Sequence, residues 1–192
     1  MQTHWPLVLA SGSPRRSELL DQIGLVHSVH PVDIDESAKT GESGVQYTSR
    51  LACEKARACA EQVATGSIIL AADTAVCVDD SIIGKPQDKA DAQRTLLRLS
   101  ARSHEVITAF ALLHHGKLKH AHTQTRVNMG PITRAQIDDY WASGEPCDKA
   151  GSYAIQGLGA QFVRSIEGSY SNVVGLPLFE LCEMLKSREM IK

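Results

Sequence analysis

A single charged residue, Asp73, lies within the segment SIILAADTAVCV (residues 67–78), whose other eleven residues are neutral and mostly apolar. Such apolar runs are typical of buried strands, and we predict a strand near residues 68–72. Within a central strand, a carboxylate is costly unless it binds a cation, accepts several hydrogen bonds or takes part in a reaction. The alternative is that Asp73 marks the end of the strand or a turn.

Strand-like and helix-like segments alternate along the chain, which indicates an α/β or α+β fold. A first strand at residues 6–10 leads into a helix that Pro14 opens and Gly24 ends. The length suits one sizeable core or one domain with two lobes, so residues 1–192 are expected to form a single domain. Further predictions, in chain order, are a helix over residues 45–64, a hairpin around Asp79-Asp80, a helix near Lys89–Leu99, two long strands within residues 104–129, a helix opened by a capping box at Thr133 and Gln136, a glycine-rich stretch that leads into a strand, and a last helix opened by Pro177.

Composition and charge argue against several classes of protein. With a net charge of −2 and no stripe of basic and aromatic residues, the chain has no general attraction for nucleic acid or an anionic membrane. The absence of any run of about 18 apolar residues argues against a transmembrane helix. The apolar run near the N-terminus has no basic residues before it and is predicted to be a strand rather than a signal peptide. The five cysteines include no C-x-x-C pair, so we expect reduced thiols and a cytoplasmic protein.

The junction between the first strand and the first helix has the features of an anion site. Small residues such as Ser11 allow close approach of the backbone, and the start of a helix presents free N–H groups. Arg15 and Arg16 follow at once, where they oppose the helix dipole unless an anion is bound, and their planar donors match phosphate oxygens. We predict a phosphate site here; the alternative is an ordinary capped helix with two surface arginines.

Two lysines are candidates for the same site. Lys55 lies opposite the charged face of its predicted helix, among small and apolar neighbours, so it must pair with an acid or extend along the helix to solvent. Lys85 lies between Gly84 and Pro86 in a loop of defined shape, from which it could reach a phosphate. Exposed loop lysines are common, so this pattern alone is a weak signal.

Two further segments carry side chains suited to a nucleotide. In the acidic run at residues 33–36, Glu36 or a neighbour could join Asp73 as a ligand of a hard cation such as Mg²⁺, although a solvated acidic loop is the simpler interpretation. Gln156 lies in a glycine-flanked segment, residues 148–157, and its amide can both donate to and accept from the edge of a base. A turn followed by a strand explains that segment equally well.

Seven motifs occur together and in order between residues 7 and 185: LASGSPRRSELL, DIDE, EKA, AADTAV, GKP, DKAGSYAIQGLGA and VVGLPL. In this combination, the chain resembles the Maf family of nucleoside triphosphate pyrophosphatases. Each motif alone is unspecific, whereas seven in order are highly specific, and none of the functional motifs is interrupted.

The resemblance implies properties that composition and spacing do not. The expected fold is an α/β structure with two lobes, a bent mixed β-sheet flanked by helices, and a cleft between the lobes, similar to inosine triphosphate pyrophosphatases. Family members require a divalent cation, Mg²⁺ or Mn²⁺, and often act as homodimers. They hydrolyse nucleoside triphosphates to the monophosphate and pyrophosphate, which removes non-standard or surplus nucleotides from the pool.

The resemblance also assigns roles to residues of this chain. Asp73 is the expected proton acceptor for a water that attacks the α-phosphorus. That Asp73 and Glu36 are the metal ligands is our own hypothesis from their chemistry. Lys55 and Lys85 complete the catalytic set. The residues expected to bind the substrate are Ser11, Arg15, Arg16, Glu36, Thr74 and Gln156.

Subfamilies of this family differ in substrate, one preferring dTTP and UTP and another 7-methyl-GTP. An arginine in the first motif, a threonine after the aspartate and a glutamine before the glycine mark the first group, whereas the second tends to have Trp, Gln and Glu. Arg15, Thr74 and Gln156 therefore predict activity on dTTP and UTP. Two alternatives stay open: a 7-methyl-GTP pyrophosphatase, and a nucleotide-binding regulator of septum formation.

Overall fold

The computed structural model describes residues 1–79 and 81–191. Within these ranges, the strands are β1 (Leu7–Leu9), β2 (Ser28–Val29), β3 (Ile68–Val78), β4 (Ser81–Ile83), β5 (Ser103–His114), β6 (Lys117–Met129) and β7 (Val163–Glu167). The helices are α1 (Pro14–Gln22), α2 (Gly44–Ala60), α3 (Lys89–Leu99), α4 (Arg134–Ala142), α5 (Tyr170–Val174) and α6 (Leu178–Ser187). Short 3₁₀ helices cover Glu145–Asp148, Ala150–Ser152 and Leu158–Phe162.

The strands form one mixed sheet in the order β2-β1-β3-β5-β6-β7. The short strand β4 also pairs with β3, further along the same edge as β1. β1 runs parallel to both β2 and β3, whereas the pairs from β3 to β7 are antiparallel. Helices cover both faces of the sheet. On one face, α2 packs against β3 and β5; on the other face, α1 and α6 form a core with the strands. The sheet is therefore the scaffold on which the helices and loops are arranged.

Local signals set the ends of most helices as the sequence predicts. α1 begins at Pro14 after Ser13, whose backbone is extended, and the chain leaves the helix through Gly24 with a φ of 68°. α3 has the predicted bounds, and the capping box of Thr133 and Gln136 opens α4. These predictions are confirmed because each rests on a residue type with a local backbone preference.

The strand that carries the isolated carboxylate is longer than predicted. β3 continues to Val78, because β5 pairs with it from Ile69 to Cys77. Asp73 therefore lies inside a strand, and the alternative that it marks a strand end or a turn is wrong. Of the hairpin predicted around Asp79-Asp80, the pairing of β3 with β4 is present, while Asp80 lies outside the described residues.

α2 is shorter than predicted and is opened by a second capping box. Ser43 accepts from the backbone N–H of Gln46, and the Gln46 side chain accepts from the backbone N–H of Ser43. The helix ends at Ala60, four residues before the predicted end. β2 and α5 are not predicted from the sequence, because each is too short to show a periodic pattern.

The long strand β3 contributes to two lobes. Leu70 and Ala72 pack in one core with residues of α1 and α6, whereas Val76 and Val78 pack in another core with residues of α3 and α4. Asp73 lies between these two parts of the strand. The polar residue thus occupies the boundary between the lobes rather than the centre of either core.

A cleft between the lobes opens at a gap along one edge of β3. On this edge, β1 pairs with residues 68–70 and β4 pairs with residues 76–78. No strand of the described chain pairs with residues 71–75 on the same edge, because β1 ends at Leu9 and the chain turns there towards α1. The gap leaves room for a ligand beside Asp73.

The predicted α/β fold with a mixed sheet and two lobes is confirmed. The assignment of residues 1–192 to a single domain stays a prediction. Throughout the described ranges, every helix is too short or too polar to cross a membrane. None of the five cysteines, all of which lie in the described part of the chain, forms a disulfide: Cys53 and Cys59 are buried, Cys77 and Cys182 are half-buried, and Cys147 is exposed.

Candidate active site

All nine residues predicted for the site line one cavity between the two lobes, with a volume of about 560 Å³. The start of α1, the inward face of α2 and the loops after β4 and α4 meet there, beside the gap in the edge of β3. Residues far apart in the sequence converge for this reason. They are Ser11, Arg15, Arg16, Glu36, Lys55, Asp73, Thr74, Lys85 and Gln156.

Asp73 and Lys55 form a buried ion pair in the wall of the cavity. Alternate residues of a strand share a face, so Asp73 lies on the same side of β3 as Ala71, which packs against α2. Nζ of Lys55 donates a 2.7 Å hydrogen bond to Oδ1 of Asp73. Lys55 is only 8% exposed and Asp73 only 7%. The alternative that Lys55 extends along its helix to solvent is therefore wrong.

Glu36 is a second partner of the same lysine. Its Oε1 lies 2.6 Å from Nζ of Lys55, and its side chain is 50% exposed. The segment around Glu36 has no regular structure, and α2 holds it by two hydrogen bonds. The Tyr47 hydroxyl donates to the carbonyl of Glu36, and Arg50 donates to the carbonyl of Ser37, each at 3.0 Å.

The two carboxyl groups on Lys55 differ in basicity. Burial raises the pKa of Asp73 above its usual value, and the charges of Lys55 and Arg16 offset only part of this effect. Burial acts in the same direction on Glu36, but the hydrogen bond and charge of Lys55, together with the charges of Lys85 and Arg16, lower the pKa of Glu36 overall. Asp73 is therefore the better proton acceptor of the two.

Arg16 is held by three hydrogen bonds to different elements. Its Nη1 donates to Oγ of Ser11 at 3.0 Å, its Nη2 to Oγ1 of Thr74 at 3.1 Å, and its Nε to the carbonyl of Gly175 at 2.9 Å. Burial lowers the pKa of Arg16, although Asp73 opposes this shift. A guanidinium has five N–H donors, so the fixed side chain keeps donors for a phosphate oxygen.

A buried polar network extends from Arg16 through Thr74. The two hydroxyls of Thr74 and Thr108 lie 2.9 Å apart, and Thr108 donates to the carbonyl of Asn172 at 2.9 Å. The Asn172 amide in turn donates to Oγ1 of Thr125 at 2.9 Å. The donors thus run in one direction from Arg16 into the core, which fixes the Thr74 hydroxyl and, through it, the arginine.

Arg15 faces the loop that follows α4. Its Nη1 lies 3.6 Å from Oδ2 of Asp148. Asp148 also pairs with Lys149, whose Nζ donates to the carbonyl of Glu145 at 3.3 Å. Lys149 lines the cavity as well, so it adds a cation that the sequence analysis missed, although it lies within the motif DKAGSYAIQGLGA.

Lys85 and Gln156 reach the cavity from two loops and are both exposed. The loop of Lys85 is joined to the other by a 3.2 Å hydrogen bond from the N–H of Gly151 to the carbonyl of Gly84. Gln156 lies in a turn that leads through a 3₁₀ helix into β7, so the turn predicted as an alternative is present and also borders the cavity. An ammonium at Lys85 suits a phosphate, and an amide at Gln156 suits a base.

Two carboxylates are available to a divalent cation. Asp73 and Glu36 both contact Nζ of Lys55, so they lie close enough to share one ion, and Mg²⁺ prefers oxygen ligands. No third His, Cys, Asp or Glu joins them in the described part of the chain. Asp33 and Asp35 are exposed, so the solvated-loop interpretation applies to them. The donor set fits a cation whose other ligands are phosphate oxygens and water.

Tyr47 is another cavity residue that the sequence analysis missed. Its position eight residues before Lys55 on α2 gives the two side chains the same helical face, and this spacing was the available signal. Burial raises the pKa of Tyr47 to about 12, and the charges of Asp73 and Glu36 add to the shift. The phenol is therefore a neutral donor near neutral pH.

Comparison with solved structures finds limited overall similarity. A HAM1 protein from Coxiella burnetii aligns with a TM-score of 0.48 and 21% sequence identity, covering 68% of this chain and 75% of that chain. Similarity at this level carries no argument about function.

Sequence relatives are much closer. The dTTP/UTP pyrophosphatase of Desulfotalea psychrophila (strain LSv54 / DSM 12343) is 50% identical over 182 residues, which cover 94% of this chain and 93% of that protein. The dTTP/UTP pyrophosphatase of Vibrio vulnificus (strain YJ016) is 49% identical over 179 residues, which cover 93% and 96%. A sequence model of the family described as "Maf-like protein" matches residues 6–188. The resemblance carried by the seven motifs is therefore confirmed, and the chain belongs to the Maf family.

Proposed function

We propose that the protein hydrolyses dTTP and UTP at the bond between the α- and β-phosphates, releasing the monophosphate and pyrophosphate. The observation that carries the proposal is the buried ion pair of Asp73 and Lys55 in a cavity that Arg15, Arg16 and Lys85 also line. One basic carboxylate among several cations suits a polyanionic substrate attacked by water. The names of the relatives described above support the same activity.

The cationic side chains bind and orient the triphosphate. Arg16 is already fixed by Ser11 and Thr74, so it presents its remaining donors without loss of side-chain entropy on binding. Arg15 exchanges its 3.6 Å contact with Asp148 for a phosphate, and Lys85 approaches from the opposite loop. Positioning and charge neutralisation of this kind supply most of the rate in phosphoryl transfer.

Asp73 is the general base of the reaction. Its carboxylate takes a proton from a water molecule while the water oxygen forms a bond to the α-phosphorus. The bond from the α-phosphorus to the bridging oxygen breaks, and pyrophosphate leaves with that oxygen. Lys55 keeps the carboxylate in place through its 2.7 Å hydrogen bond.

Asp73 and Glu36 would hold a divalent cation, Mg²⁺ or Mn²⁺, together with the phosphates. Such a cation supplies charge neutralisation on the phosphate oxygens and lowers the pKa of water. Both residues already contact a cation, the ammonium group of Lys55, which is consistent with a site built for positive charge.

Gln156 selects the base. A neutral amide can pair with the O4 and N3–H edge of uracil or thymine, whereas a glutamate suits the donor-rich edge of guanine. Gln156→Glu is therefore expected to shift the preference from UTP towards 7-methyl-GTP. An unchanged ratio of the two rates would contradict this role.

The cellular role follows from the activity. The enzyme would remove surplus or modified pyrimidine nucleotides from the cytoplasmic pool, acting as a homodimer. No binding of nucleic acid or membrane belongs to this proposal, because the net charge of −2 gives the chain no general attraction for polyanions.

A substrate panel tests the proposal. Purified protein with Mg²⁺ or Mn²⁺ is given dTTP, UTP, CTP, dATP, GTP, 7-methyl-GTP and ITP, and pyrophosphate and orthophosphate are measured separately. Pyrophosphate released fastest from dTTP and UTP is the expected result. Release mainly from 7-methyl-GTP would keep the reaction and overturn the specificity, and no release from folded protein would favour a nucleotide-binding regulator.

A further inference from the structure

Tyr140 and Glu145 form a hydrogen-bonded pair behind the loop that carries Gln156. The Tyr140 hydroxyl donates to Oε1 of Glu145 at 2.7 Å and accepts from the N–H of Ala154 at 3.0 Å. Glu145 accepts from the N–H of Leu158 at 2.9 Å through Oε2. The pair thus holds the backbone on both sides of Gln156, at Ala154 and at Leu158.

Glu145 also caps the 3₁₀ helix Leu158–Phe162. Besides the N–H of Leu158, it accepts from the N–H of Gly159 at 3.0 Å, so one carboxylate takes both of the first N–H groups of that helix. Burial raises the pKa of Tyr140, and Glu145 adds to this shift; burial opposes ionisation of Glu145, but its hydrogen bonds lower its pKa overall. The phenol is therefore a neutral donor and the carboxylate a charged acceptor at neutral pH.

Two glycines allow the loop to lie this close to the pair. A Cβ atom on Gly157 would overlap the Glu145 carboxylate, and a Cβ atom on Gly159 would lie 2.7 Å from the Tyr140 hydroxyl. Tyr140 itself is 2% exposed and packs edge-on against Phe162, with ring centroids 5.3 Å apart. The pair is anchored in the core of its lobe, whereas Gln156 is exposed to the cavity.

We infer that Tyr140 and Glu145 are positioning residues that set the place of Gln156 and thereby the selection of pyrimidine over purine nucleotides. The inference rests on the proposed function, in which Gln156 contacts the base. Neither residue lines the cavity, so both act through the backbone of residues 154–159. A loosened loop would retreat from the cavity and admit a larger base.

Tyr140→Phe tests the inference, because it removes the hydroxyl and keeps the ring packing. Binding of the α,β-methylene analogues of UTP and GTP is measured by calorimetry, and hydrolysis of UTP and GTP by pyrophosphate release. We expect the preference for the UTP analogue to fall about tenfold, as two hydrogen bonds are lost. The KM for UTP should rise by a similar factor, while kcat changes about twofold at most, because the catalytic groups are untouched.

Glu145→Gln is the second variant, and it keeps the test available if Tyr140→Phe does not fold. Its amide cannot accept hydrogen bonds from the Tyr140 hydroxyl and from both N–H groups of the 3₁₀ helix. The matched controls are Tyr170→Phe, an exposed tyrosine, and Glu183→Gln, a surface residue of α6 paired with Lys186. Both controls should keep the wild-type preference. In a Gln156→Ala background, Tyr140→Phe should cause no further loss of preference.

The outcomes separate the inference from the proposed function. Folded Tyr140→Phe and Glu145→Gln variants with the wild-type preference would overturn the inference and leave the activity standing. If the wild-type protein hydrolyses neither nucleotide but prefers the UTP analogue, and both variants lose that preference, the activity is overturned and the positioning role is supported. Wild-type protein with no preference for the UTP analogue would overturn the inference and the proposed base specificity, whereas the reaction itself would still be decided by pyrophosphate release.

Discussion

Nζ of Lys55 and Oδ1 of Asp73 lie 2.7 Å apart, although the two residues are separated by 18 positions in the chain and belong to a helix and a strand. This contact joins the inward face of α2 to the part of β3 between the two lobes. It gives a buried carboxylate a directly hydrogen-bonded counterion, in addition to the more distant charge of Arg16. The same contact keeps that carboxylate beside the gap in the edge of β3, where a nucleotide can reach it.

Asp73→Asn is expected to lower kcat by about 10²-fold or more, because the amide keeps the size of the side chain but cannot accept a proton. The measurement is pyrophosphate release at saturating UTP, with circular dichroism to establish folding. Asp139→Asn, on the exposed side of α4, is the control and should retain wild-type activity. Wild-type turnover by Asp73→Asn would exclude this residue as the base.

Lys55→Met should move the acid side of the pH–rate profile to higher pH. Burial raises the pKa of Asp73 and the charge of Lys55 lowers it, so loss of that charge raises the pKa further. A general base is active only above its pKa. As the pH is lowered, kcat/KM of the variant should therefore begin to fall at a higher pH than that of the wild type. Lys89→Met, which removes an exposed partner of Asp138, is the control. A profile that stays in place or moves to lower pH would contradict this arrangement.

Removal of divalent cations by a chelator should abolish hydrolysis of UTP, and added Mg²⁺ or Mn²⁺ should restore it. In Glu36→Gln, one carboxylate ligand is lost, so the cation concentration that gives half of the maximal rate should rise about tenfold or more. Asp35→Asn, an exposed neighbour, should leave that concentration unchanged. Full activity in the presence of the chelator would overturn the metal assignment.

Gly44→Ala should destabilise the protein through the packing of α2 on the sheet. A Cβ atom at this position would overlap Sγ of Cys77 and lie 2.9 Å from Cδ1 of Ile107. We expect the free energy of unfolding, measured in urea, to fall by about 1–3 kcal/mol, despite a gain of up to about 1 kcal/mol in helix propensity. In a Cys77→Ala background, Gly44→Ala should lower the free energy of unfolding by less than it does in the wild type. An equal decrease in both backgrounds would contradict a clash with Cys77.

Local signals in the sequence predict much of the fold. The start of α1 at Pro14 and of α4 after Thr133 depends on neighbours within a few residues, and both are confirmed. The full length of β3 was missed because continuous pairing with β5 is a long-range property. The gap between β1 and β4 was missed for the same reason, since it depends on where two distant strands end.

The site divides in a similar way. Asp73 and Lys55 are recognisable alone, because a charge in an apolar pattern requires a partner. Their contact with each other depends on the packing of α2 on β3, which no local pattern contains. Tyr140 and Glu145 were missed because a buried tyrosine on a helix and a carboxylate after it look like ordinary core and surface residues, and only the tertiary structure brings the loop of Gln156 to them.

The most direct test of the central claim is hydrolysis of UTP in ¹⁸O-labelled water, with mass spectrometry of both products. Attack on the α-phosphorus beside Asp73 predicts that pyrophosphate is released unlabelled and that one labelled oxygen appears in UMP. Label in the pyrophosphate would mean attack on the β-phosphorus, and release of orthophosphate with UDP would mean cleavage of a different bond. Either result would contradict the proposed reaction.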